Sequence, residues 1–209
     1  WHREVINKVD EERPLREIVV GSIKRAVENI LGVIALSYLV ISIIFIASSI
    51  GTLKNIEKSV FNLKKGEISL STKYLKQAEV YGRVSKSNYI FISPVIRFFY
   101  NKIDVYSKNY LSFVDYSLSV LTSLSQTYNL TEKVYMTLNS GDQKTDYSSL
   151  ALGLKSNLQQ SYESLNQLEI ILNKNELPKP LLQKIKQNVE YEQLKSTQKQ
   201  MSELIKVVD

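Results

Sequence analysis

The chain has 209 residues, 44% of them hydrophobic and 23% charged, with a net charge of +6. The absence of Cys excludes disulfides and thiolate chemistry, and a lone His at position 2 excludes a His-based triad or His-ligated zinc site from everything beyond the N-terminal tail. Only 7 Gly and 4 Pro favour long helices over a turn-rich β fold, so the expected fold class is all-α.

Residues 1–28 read as a charged cytoplasmic tail with acids and bases in balance, which leaves the whole net charge in the remainder. Glu11-Glu12-Arg13-Pro14 is expected to break the chain, with Leu15, Ile18 and Val19 on one face of a short helix beyond it. The first residue is Trp1, and the end, Ile205-Lys206-Val207-Val208, is apolar-periodic without a stop signal. Both features are expected of a segment of a longer product.

The chain is organised around residues 29–52. No charged residue lies between Glu28 and Lys54. At about 1.5 Å of rise per residue, the apolar part covers roughly 30 Å, the thickness of bilayer hydrocarbon. The reading is one transmembrane helix, anchored by Ile30, Leu31, Val33, Ile34, Leu36, Leu39, Val40, Ile41, Ile43, Ile44, Phe45 and Ile46. A core helix of a soluble domain is generally shorter and seldom apolar on every face. Nothing ionisable sits within the span, so proton relays and ion pathways are not expected. Lys24 and Arg25 flank one end and Lys54 and Lys58 the other, nearly a tie in the basic bias that sets orientation. The layout of short tail and long domain puts residues 53–209 outside.

Beyond the span, Leu53, Ile56, Val60 and Leu63 continue a helical stripe, and Lys64-Lys65-Gly66 reads as its C-terminal cap. A second helix, capped by Ser69 or Ser71, carries the small face Leu75, Ala78, Gly82 and Ser85. Ser93-Pro94 is expected to restart the chain as N-cap and first helical residue. From there Ile96, Phe99, Ile103, Tyr106, Tyr110 and Phe113 hold near-heptad spacing, with Ser117 the gap before Val120. Asn139-Ser140-Gly141-Asp142 is a loop. A fourth helix places Leu154, Leu158, Leu165 and Leu168 in the same core as that stripe, and Leu150 and Leu172 extend it. Asn173 to Lys179 is a second loop, and Pro180 opens a fifth helix that runs to the end. The expected architecture is a membrane helix continuing into an antiparallel bundle of four to five long helices.

No constellation for catalysis emerges. Carboxylates are scattered, and Asp142 and Asp146 lack the spacing of a calcium-binding loop. There is no Gly-rich phosphate loop, and no basic stripe concentrated enough for nucleic acid. Asn129-Leu130-Thr131 matches the glycosylation pattern but falls inside a long helix. Thirteen Tyr suit either wide interhelical spaces or surface contacts. The expectation is therefore no catalytic residues, no metal and no cofactor.

The charged tail, the single span, Leu63-Lys64-Lys65-Gly66-Glu67, Tyr74 and Ala78 at helical spacing, and Pro94 ahead of a long helix together resemble the N-terminal half of the bacterial domain-of-unknown-function 4012 family. The resemblance implies a bacterial cell-surface location, one N-terminal anchor, a helical region and no known catalysis. It carries over no functional residue. The function expected is a single-pass, non-enzymatic stalk, scaffold or assembly element of the envelope. Its partners would be the lipid bilayer and a protein partner or a second copy. The alternatives are a ligand-sensing receptor bundle outside the membrane and a division-type scaffold facing the cytoplasm.

Overall fold

The computed structural model describes residues 2–140, 146–175, 177–188 and 191–208. Among them the chain is all-helical, with no strand: α1 His2–Lys64, α2 Ile68–Phe99, α3 Asn101–Ser140, α4 Tyr147–Asn173, α5 Lys179–Asn188 and α6 Tyr191–Val208. The chain divides into two units, Trp1–Ile43 and Ile44–Asp209.

The first unit consists of α1 residues. The helix runs through Pro14, so the break expected at residues 11–14 is absent. From Val20 on, almost every side chain of this unit is exposed, and α1 is the one helix among the described residues long and apolar enough to cross a membrane.

The second unit begins with the rest of α1, which ends in a Schellman cap. Gly66 takes φ +77°, its N–H bonds to the Leu63 carbonyl at 3.0 Å, and the Glu67 N–H reaches back to Asn62 at 2.9 Å. Only glycine enters this left-handed region without cost, which is why the Lys-Lys-Gly sequence stops the helix here. α2 returns antiparallel to α1: Ser59 pairs with Ser71 at one level and Ser48 with Ser85 at another. Its buried face includes Leu75, Ala78, Gly82 and Ser85. With so little side chain there, the helices approach closely; a Cβ added at Gly82 would lie 3.6 Å from both Leu118 and Val114. The expected Ser cap is not formed. Glu67 occupies the N-cap position and makes no side-chain capping bond, and Ser71 is spent on Ser59.

α2 does not end at Ser93. Pro94 lies inside it, and the turn comes at Tyr100 (φ −144°, ψ 66°). Proline removes the donor that would pair with the Ile90 carbonyl, and Ile90 sits on an open face, so the loss is tolerated. The Ser93 hydroxyl is likewise unavailable as a cap because it bonds to Asp104. This later turn resets the helical phase and splits the expected heptad stripe. Phe99 (66% exposed), Ile103 (48%) and Tyr106 (36%) are therefore surface residues, a correction to their assignment to the core. Ile96 is half-buried. The buried stripe of α3 instead starts with polar residues, Asp104 and Ser107, before Tyr110, Phe113, Val114, Val120 and Leu121. Ser117, the gap in the heptads, is buried too.

α3 is antiparallel to α2, with Asp104 beside Tyr89 and Ser125 beside Thr72. α4 returns along α3: Ser164 meets Ser119 at 2.8 Å, and Gly153 comes close to Leu130. Asp146 caps α4 by accepting from the Ser149 N–H at 3.1 Å. Leu158, Leu165 and Leu168 are buried, as are Leu150 and Leu172, and Leu154 is half-buried. The last helix expected from Pro180 onwards is described as α5 and α6, on either side of residues 189 and 190, which lie outside the described residues. α6 packs on α4, with the Gln198 amide donating to Asn166 and Glu169, each at 3.1 Å. Part of the expected loop at Asn139–Asp142 lies outside the described residues.

Candidate functional site

Of the anchor residues read from the sequence, Ile30, Leu31, Val33, Ile34, Leu36, Leu39, Val40 and Ile43 are exposed in the first unit, and Ile41 is half-buried. Ile44 and Ile46, in the second unit, are also exposed, whereas Phe45 is half-buried, its ring 6.0 Å from that of Tyr89. Hydroxyls within the run are satisfied inside the helix. Ser37 donates to the Val33 carbonyl at 2.8 Å and Ser42 to Tyr38 at 2.7 Å. They add little polar cost to an apolar helix surface.

In the second unit a polar seam fastens α1 to α2 and α3. Ser48 and Ser85 share a hydrogen bond of 2.8 Å, and Ser49 lies 3.3 Å from Ser85. Tyr110 donates to the Ser49 carbonyl at 2.8 Å. Burial pushes its phenol up to about 12, against the opposing effect of hydrogen bonds with Ser49 and Thr52. Lower down, Ser59 and Ser71 hold one another through both hydroxyls and each other's carbonyls at 2.9–3.0 Å. Small polar residues at helical spacing allow both close approach and interhelical hydrogen bonds, and the sequence signal for them was a set of Ser, Gly and Ala positions on one face.

The strongest electrostatic feature is Asp104, 1% exposed in the first turn of α3. Its carboxylate accepts from Tyr89, from Ser93 at 3.3 Å and from Lys108 at 2.7 Å, and the Arg97 Nε is 3.5 Å away. Burial opposes ionisation, but the bonds from Lys108, Tyr89 and Ser93 with the Lys108 charge outweigh it and hold the carboxyl below its usual range. Burial, then the bond to Asp104, raises the Tyr89 phenol. Four residues from α2 and α3 thus converge on one acid and close the hairpin between these helices. Periodicity could not flag it, because a buried acid is invisible to a search for apolar stripes.

Clefts open on the second unit, two of them of similar size and contrasting chemistry. One, of about 590 Å³, is lined by Lys54, Lys58 and Lys76 with Asn55, Gln77 and Tyr81. The Lys58 ammonium also lies 5.2 Å from the Tyr74 ring. The other, also about 590 Å³, is an apolar groove of Leu53, Ile56, Val60, Phe61 and Phe113 bordered by Leu181 and Ile185 of α5. The first offers positive charge and amide donors; the second offers hydrocarbon. Among the described residues no group of three or more His, Asp or Glu side chains converges as a metal site. Comparison of the chain with protein-family models, curated proteins and solved structures finds no match.

Proposed function

We propose that this chain is a single-pass, membrane-anchored helical protein whose second unit serves as a stalk or scaffold in a bacterial cell envelope. The observation that carries the reading is the apolar stretch of α1, of which no residue in its most apolar window is buried. A core helix would have its apolar side chains covered by protein. Leaving a dozen Ile, Leu and Val side chains in water costs on the order of 20 kcal/mol relative to an apolar surrounding, more than the net stability of an ordinary domain. Lipid removes that cost.

The buried polar groups of the second unit support a structural role. Ser48, Ser59, Ser71, Ser85, Tyr110 and Asp104 are spent on holding helices to one another. Kinship with the domain-of-unknown-function 4012 family belongs to the same proposal, as do the cytoplasmic tail and the external second unit. Cysteines placed at Lys8 and Lys155 in intact cells test the orientation. A membrane-impermeant maleimide labels position 155 and reaches position 8 only after permeabilisation. Labelling of position 8 alone would reverse the assignment.

A further inference from the structure

The cleft between α1 and α2 gathers three cations and no anion. Lys54 and Lys58 stand about one helical turn apart on α1, and Lys76 reaches the same cleft from α2. No Asp or Glu lines it, and none of the three lysines forms an ion pair among the described residues. Elsewhere in the second unit Lys86 pairs with Asp115 and Lys108 with Asp104, each at 2.7 Å. Like charges four positions apart on a helix repel, so the arrangement costs some folding stability.

Packing builds the walls. Gly51 meets Tyr81 at one end of the cleft, and Ser59 meets Ser71 beyond the other, so Asn55 of α1 comes level with Lys76 and Gln77 of α2. A Cβ on Gly51 would lie 3.1 Å from the Tyr81 ring, so the bare glycine is what lets that ring rest against α1. Asn55 is 8% exposed and forms the floor. Its amide nitrogen donates to the Gly51 carbonyl at 2.8 Å, which fixes the carboxamide, and the second hydrogen on that nitrogen remains for a ligand. The Lys58 ammonium is held toward α2 by the Tyr74 ring, 5.2 Å away.

The chemistry of these walls selects the ligand. Lysine ammoniums are compact charges that suit phosphate oxygens and lack the planar fork with which Arg grips carboxylates. The Asn55 amide adds a directional donor, and Val80 and the Tyr81 ring offer apolar surface beside the charges. A volume of about 590 Å³ is that of a small-molecule site.

We propose that this cleft binds a small phosphate-bearing ligand. Lys54, Lys58, Lys76 and the Asn55 amide hold the phosphoryl oxygens, and Val80 and Tyr81 contact the carbon portion. The phosphate group carries more than one negative charge, as a phosphomonoester or a diphosphate does, because a single charge would leave the cations unmatched. Soluble phosphates and lipid headgroups share this chemistry. The site lies wholly within the second unit and goes beyond the anchor reading of α1, on which it does not depend.

The test uses the full chain in nonionic detergent at fixed ionic strength, with thermal unfolding followed by circular dichroism. The ligands are inorganic pyrophosphate, phosphatidic acid doped into the micelles, and citrate as a multiply charged carboxylate control. The expected result is a midpoint that rises with the concentration of pyrophosphate, phosphatidic acid or both, and far less with citrate. A response to pyrophosphate alone assigns a soluble ligand, and a response to phosphatidic acid alone assigns a headgroup. The double variant Lys54→Gln with Lys76→Gln needs about tenfold more ligand for the same rise. Lys102→Gln with Lys133→Gln, an equal change of charge at exposed positions outside the cleft, leaves the response intact. The ligand-free midpoint of the cleft variant is unchanged or slightly higher, because repulsion is relieved, so its lost response is not unfolding. Lys76→Gln alone, which leaves α1 untouched, repeats the readout. No rise with either phosphate ligand, an equal rise with citrate, or an equal loss of response in the two double variants would overturn the proposal.

Discussion

Replacing Asp104 with Ala removes the acceptor on which Tyr89, Ser93, Lys108 and Arg97 converge. Lys108 and Arg97 are about half exposed, so water solvates them again once the carboxylate is gone and their share of the loss is small. Tyr89 is buried, and its hydroxyl is left without its carboxylate partner, which costs about 1–3 kcal/mol. The emptied volume adds about 1 kcal/mol. The expected destabilisation is about 2–4 kcal/mol, or roughly 5–15 °C in the unfolding midpoint of a domain this size. Thermal unfolding in mild detergent, followed by circular dichroism, reads it. The control is Asp115→Asn, which breaks the surface pair with Lys86 (2.7 Å, both ends close to half exposed) and costs under about 1 kcal/mol. Adding Tyr89→Phe to Asp104→Ala removes the stranded hydroxyl and recovers about 1 kcal/mol. The acid limb supplies a further check. The folded carboxyl lies below its usual 3.8, so its stabilisation is complete well above that value and is lost as pH falls through the folded value. The gap between wild type and Asp104→Ala should therefore close on acidification. Equal losses for the Asp104 and Asp115 variants, or a further drop on adding Tyr89→Phe, would refute the reasoning.

Gly82→Ala stabilises by about 0.5–1 kcal/mol in the same melt, because the new methyl meets Leu118 and Val114 at ordinary contact distance and the helix loses a flexible residue, whereas Gly82→Leu forces α1, α2 and α3 apart and lowers the midpoint. Ser59→Ala costs about 1 kcal/mol by removing the hydroxyl pair and the bond to the Ser71 carbonyl, while the Ser71 hydroxyl keeps the Ser59 carbonyl; the double variant with Ser71→Ala costs less than the two singles added. Tyr110 ionises only near 12, above its ordinary 10.0, so folded-state stability is full below that ordinary value and declines as pH rises through it. The difference ultraviolet titration between wild type and Tyr110→Phe should show the missing phenol titrating last, and a difference band centred near 10 would contradict it. Ser161→Ala is neutral or slightly stabilising, since that buried hydroxyl makes no hydrogen bond.

Much of the architecture was legible where a single local rule governs. The charge-free run, the Gly66 stop and the Leu75-Ala78-Gly82-Ser85 face each follow from composition or spacing over a few turns, and the structure has a helix through the first, a Schellman cap at the second and a buried face at the third. Pro94 misled because Pro marks helix starts more often than interiors. What overrides that preference is tertiary: Ser93 turns inward to Asp104, and the freed Ile90 carbonyl faces outward. Once the turn moved to Tyr100, the heptads lost their phase, which is why Phe99, Ile103 and Tyr106 stand on the surface. The Asp104 cluster and the serine seam escaped altogether. Their hydrogen bonds between helices join residues eleven to sixty-one positions apart, and polar side chains carry no periodic signature of burial.

The most direct test is the depth of Leu36. With a fluorophore on a cysteine at that position and the chain purified from membranes after alkaline carbonate washing, the account predicts that the protein stays in the pellet. It further predicts maximal quenching by nitroxides near the bilayer centre and none by iodide. Release of the chain by carbonate, with position 36 open to iodide in detergent-free buffer, would contradict it.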